Sequence, residues 1–117
     1  MDNMLNVITV EGVLTSEVRL TYDENKKTSV GKFYLKNTTK VGKNVYHNDF
    51  YVVVYGRKAE ACEQHLYVGK RCSVTGKVST WVKPGQNGHN QVGVTILAQD
   101  VNYEEEECND VEEDEVE

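Results

Sequence analysis

Alternation of apolar and polar positions runs through most of the first hundred residues and predicts strands over Leu5–Thr15, Thr28–Thr38, Asp49–Tyr55, Arg71–Val82 and Gln91–Tyr103. Gly12 interrupts the first of these, where a bulge would let the strand bend, and Glu17–Tyr22 reads as its extension. The polar turn Asp23-Glu24-Asn25-Lys26-Lys27 leads into the second strand, and Asn37–Asn48, with Gly42 at its tip, reads as a long polar loop. One stretch abandons the period of two. Between Arg57 and Tyr67, Ala59, Cys62 and Leu66 recur close to every 3.6 residues, predicting a helix that Gly69 can cap in the left-handed conformation. Pro84-Gly85-Gln86-Asn87-Gly88 reads as a hairpin connection into the last strand, whose Val92, Val94, Ile96 and Ala98 share one face.

Three strands, a helix and two further strands make an all-β domain with one short helix. The order is that of the five-stranded oligonucleotide/oligosaccharide-binding (OB) barrel, with the helix between strands 3 and 4. Successive side chains on a strand point to opposite faces, and one face must hold the core. If Phe33 and Leu35 point inward, Lys32, Tyr34 and Lys36 form an outward row of cation, aromatic and cation. With Phe50, Val52 and Val54 inward, Tyr51, Val53 and Tyr55 face out; with Cys72, Val74 and Val78 inward, Lys77, Ser79 and Trp81 face out. Three strands are thus expected to expose four aromatics, Tyr34, Tyr51, Tyr55 and Trp81, among lysines.

Charge sharpens this picture. The 117 residues carry a net charge of −6, yet residues 104–117 hold ten acidic residues and no basic one, which leaves thirteen Lys and Arg against nine Asp and Glu over residues 1–103. The composition break at Tyr103/Glu104 divides a basic domain, 1–103, from an acidic C-terminal segment, 104–117, expected to be disordered because its like charges repel and offer little to bury. The first residues lack the basic start and apolar middle of a signal peptide and no run is long enough to span a membrane, so a cytoplasmic location is expected.

Chemistry of other kinds finds little support. Cys62, Cys72 and Cys108 have no C-x-x-C spacing, so free thiols are expected, with Cys72 a small core residue. His47, His65 and His89 are scattered and His47-x-Asp49 alone cannot complete a metal site. Gly85-Gln86-Asn87-Gly88 is followed by His89 rather than the Lys-Ser/Thr of a phosphate-binding loop. No catalytic residue, metal or cofactor is expected. What the outward face offers is stacking: every base has a π-face, and stacking on an aromatic is worth about 1–3 kcal/mol per base whatever the sequence. The same outward Tyr and Lys could instead form cross-strand pairs or an oligomer interface.

The segments Asn6–Leu14, Val30–Leu35, Val52-Val53-Val54-Tyr55-Gly56-Arg57-Lys58-Ala59-Glu60, Val68-Gly69-Lys70 and Val74-Thr75-Gly76-Lys77-Val78, in this order and spacing, resemble the bacterial and phage single-stranded DNA-binding protein family over residues 5–103. The acidic C-terminal segment is a further trait of that family. The resemblance implies a non-catalytic OB-fold protein, usually a homotetramer, with a dimer as the alternative, that coats unwound DNA in replication, recombination and repair without base preference. By position it implies base stacking for Tyr55, a matching outward aromatic in Trp81, a basic groove residue in Arg19, and Lys77 and Lys83 along the same groove. The candidate DNA-binding set is therefore Arg19, Lys32, Tyr34, Lys36, Tyr51, Tyr55, Lys77, Trp81 and Lys83.

Two positions depart from the family pattern. Seven residues before the glycine equivalent to Gly56 the family commonly has a stacking aromatic, and this chain has Asp49, with Phe50 next to it. We assign Phe50 to the core and the stacking role to Tyr51, which needs no bulge. The family's tail ends in an acidic run with a hydrophobic pair and a proline that replication and repair proteins bind, whereas this chain ends Glu115-Val116-Glu117. Replication and repair proteins stay candidate partners of the acidic segment, which is also expected to compete with DNA for the basic face as a tethered polyanion. The competing function is an OB-fold protein-interaction module of a replication or primosome assembly; RNA is an alternative nucleic-acid ligand, since a groove without 2′-hydroxyl readout holds either strand.

Overall fold

A computed structural model of the chain describes residues 4–85 and 88–104. Strands β1 (Ile8–Leu14), β2 (Arg19–Asp23), β3 (Thr28–Val41) and β4 (Asn44–Tyr55) precede helix α1 (Arg57–His65), and β5 (Arg71–Pro84) and β6 (Asn90–Tyr103) follow it. They form one sheet in the order β1-β5-β6-β4-β3-β2, which closes into a barrel because β1 also pairs with β3. Only β4 and β6 run parallel; the other pairs are antiparallel.

The core follows the alternation. Leu14, Phe33, Leu35, Val52, Val54, Cys72, Val74 and Ile96 are buried inside the barrel, and Ala59, Cys62 and Leu66 of the helical segment close one end of it. Phe50 is partly buried and packs against this cluster, opposite Leu35 across the β3–β4 ladder, as its inward assignment requires.

Several boundaries differ from expectation for identifiable reasons. Glu17–Tyr22 does not extend the first strand: the chain turns at Ser16, whose Oγ accepts the Tyr34 N–H at 2.9 Å, and Arg19–Asp23 then pairs with Thr28–Lys32 as a separate strand. The barrel thus gains a sixth strand, and the helix lies between β4 and β5. The polar segment 37–48 is a hairpin rather than a loop. Its ladder continues to the Val41–Asn44 pair around Gly42, whose φ of 61° suits the first central position of a type II′ turn. A ribbon of this kind needs no apolar face, because its partner strand satisfies the backbone and polar pairs such as Thr38 Oγ1 and His47 Nδ1, 3.0 Å apart, cross it.

The helix ends at His65, two residues early, with extended Leu66 as its cap; Gly69, at φ 94°, donates its N–H to Leu14 O at 2.9 Å and so ties the connection to β1. No bulge occurs at Gly12, where the β1–β5 register is unbroken. The irregularity lies at Thr75/Gly76. Both glycines mark close backbone approaches: a Cβ on Gly12 would lie 2.5 Å from Lys36 O, and one on Gly76 2.1 Å from Leu97 O. The Thr75/Gly76 irregularity leaves Gln99 without a cross-strand partner, so Ala98, Val101 and Tyr103 all pack against the core despite their odd and even numbering. Val92 and Val94 share a parity with Ile96 but are exposed, since the β5–β6 ribbon runs past the barrel.

Candidate nucleic-acid interface

The ladders arrange the outward side chains of five strands into rows. One row runs Arg19, Lys32, Val53, Leu97, Lys77 across β2, β3, β4, β6 and β5. The next runs Tyr34, Tyr51, Thr95, Ser79. Beyond it, Lys36 stands opposite Asp49 and Trp81 opposite Gly93, each pair two residues along from the row before. Cations therefore flank an aromatic and hydroxyl-bearing centre, and the barrel core lies beneath the part of this face that β3 and β4 supply.

Tyr34 and Tyr51 are the hub. Their rings are tilted by 47° with centroids 4.9 Å apart, a favourable aromatic geometry that still leaves Tyr34 half exposed. On one side they line a recess of about 210 Å³ with Ser16, Glu17, Arg19 and Lys32. On the other they line an open groove of about 510 Å³ with Asp49, Trp81, Gly93 and Thr95. The two hollows share these tyrosines, which stand between them on the outer face of the sheet.

Trp81 is 47% exposed, and its orientation depends on the residue opposite. A Cβ on Gly93 would lie 1.9 to 2.6 Å from three carbons of the indole, so the ring lies across the Gly93 backbone with its other face available to a ligand. Strand alternation places Trp81 outward but does not reveal this support. Its one trace in the sequence is a glycine inside a strand pattern, which signals close approach of another group.

The structure brings Arg19, Lys32, Tyr34, Tyr51 and Trp81 around these two hollows and sets Lys77 in the Lys32 row. Lys83 follows two residues beyond Trp81 on the exposed β5–β6 ribbon. Two candidates lie apart. Tyr55 is outward and 39% exposed, but lines neither hollow and has Lys26 Nζ 4.9 Å from its ring centroid. Lys36 borders a separate pocket beside Glu11 and Arg71, where β1 crosses onto β3. Val53, expected to face out with the tyrosines, is outward by register but 7% exposed, because its strand is central and Lys32 and Leu97 flank it. Asp49, Gly93, Ser16 and Thr95 are lining residues outside the candidate set.

Cys62 and Cys72 are free and buried, and burial pushes each thiol up to about 11; Cys72 adds to the rise at Cys62, while Lys70 partly opposes it at Cys72. Neither is activated as a nucleophile. Among the described residues no group of three or more His, Cys, Asp or Glu could hold a metal ion, and no helix is long and apolar enough to cross a membrane.

Residues 5–103 match the model of the Single-strand binding protein family. No curated protein sequence matches the chain. Among solved structures, one described as Plasmodium falciparum SSB complex with ssDNA superposes with a TM-score of 0.74 at 18% identity, over 90% of this chain and 99% of that one. At that identity the likeness speaks for the fold.

Proposed function

The chain belongs to the single-strand binding protein family, a non-enzymatic family, and is a single-stranded DNA-binding protein; from that premise we propose that it coats and protects unwound DNA during replication, recombination and repair. The strand crosses the outer face of the sheet. Bases stack on Tyr34, Tyr51 and Trp81, while Arg19, Lys32 and Lys77 neutralise phosphates, with Lys83 extending the path along the β5–β6 ribbon. Tyr55 and Lys36 act at the margins of this path. We further propose a cytoplasmic homo-oligomer, whose mass light scattering reads, and an acidic C-terminal segment that competes with DNA and recruits replication or repair proteins.

The observation that carries the assignment of the face is the outward Tyr34–Tyr51 pair with a hollow on either side of it and cations in the adjoining row. Stacking needs only a π-face, so this grip holds any sequence. Replacing Tyr51 by Ala is expected to weaken oligo(dT) binding about tenfold, within the range for one lost stacking platform, whereas Tyr51→Phe retains most of it. Equal affinities for wild type and Tyr51→Ala would refute the assignment of this face.

A further inference from the structure

We propose that Asp49 reads the edge of a base stacked on Trp81 and gives this protein a preference for guanine at that one position. The proposal rests on the assignment of the outer face to DNA and adds a local selectivity to its general grip.

Asp49 stands two residues before Tyr51 on β4, and Gly93 two residues before Thr95 on β6, the strand parallel to β4 in which Thr95 pairs with Tyr51. The Trp81 indole lies across Gly93. Asp49 and Trp81 border the same groove, alongside the tyrosine pair and just past the end of the β4–β6 ladder. Asp49 is exposed and, among the described residues, no hydrogen bond or ion pair occupies it, although Lys36 stands opposite across the ladder.

An ionised carboxylate is an acceptor only, and it repels phosphate. In this groove it excludes the backbone and accepts from the rim of a base. Guanine offers the best match: its N1–H and N2–H lie side by side on the Watson–Crick edge and reach both oxygens at once. Cytosine and adenine present an amino group next to an acceptor nitrogen, and thymine presents one N–H between two carbonyls. The phosphates then follow Arg19, Lys32 and the recess on the other side of the tyrosine pair, where Glu17 is the one acidic lining residue.

Anisotropy titrations of wild type, Asp49→Ala and Asp49→Asn with a labelled thymidine tract, and with the same tract carrying isolated guanines, test this at fixed salt. Wild type is expected to bind the guanine-bearing strand at least about fivefold more tightly, the low end of what a bidentate base contact discriminates. Asp49→Ala is expected to bring that ratio down toward what purine stacking alone provides, and to tighten binding to the plain tract by removing a charge that repels phosphate. Equal ratios in wild type and Asp49→Ala would overturn the proposal. If Tyr51→Ala still weakens both strands, that result leaves the DNA face standing and removes only the role of Asp49.

Discussion

Gly93 is the smallest residue on the outer face and decides how the largest one lies. Because the indole of Trp81 occupies the space a Cβ would take, any side chain at 93 must lift the ring off the sheet. Gly93→Val is therefore expected to weaken oligo(dT) binding about tenfold, comparable to losing one stacking platform. A double-mutant cycle isolates the cause: in a Trp81→Ala background the same substitution should have little further effect. A full additional loss there would mean that Gly93 acts through something other than the indole. The alternation of Lys77, Ser79 and Trp81 already implies an outward tryptophan, and that of Phe50, Val52 and Val54 an inward phenylalanine. The pairing of Trp81 with Gly93 was not legible in the same way, since it depends on the register between β5 and β6, which an irregularity at Thr75/Gly76 shifts by one residue.

At the scale of elements, the strands with one buried face were the legible ones. Where burial stops, so does the signal: Arg19–Asp23 is mostly exposed, and residues 38–49 of the β3–β4 hairpin are exposed throughout, so neither carries a hydrophobic stripe that would reveal a strand. Val92 and Val94 mislead in the opposite sense, alternating as if buried on a ribbon that leaves the barrel. Barrel closure rests on backbone approaches that only glycine permits. Gly76→Ala would drive a Cβ to 2.1 Å from Leu97 O, so β5 and β6 must separate. Overpacking of this kind costs about 1–3 kcal/mol, which lowers the melting temperature of a domain this size by about 5 °C or more. A melting curve unchanged by Gly76→Ala would show that the β5–β6 ladder absorbs the methyl group without separating.

For the molecule as a whole, the division of charge matters more than its sum. Residues 105–117, which include nearly all of the C-terminal acids, lie outside the described residues, and β6 ends at Tyr103. As a tethered polyanion on a basic domain, that segment is proposed to compete with DNA at high effective concentration. Deleting residues 104–117 is expected to tighten oligo(dT) binding severalfold at low ionic strength, and the gain should fade as salt screens the exposed charges. An unchanged affinity at low salt would remove the competition model. The central claim, that bases stack on an outward aromatic face flanked by cations, is tested most directly by the intrinsic fluorescence of Trp81, the only tryptophan in the chain. Adding oligo(dT) is predicted to quench its emission, with an affinity that falls steeply with salt, each neutralised phosphate adding about −0.7 to the logarithmic slope. Binding at low salt that leaves the emission unchanged would contradict the account.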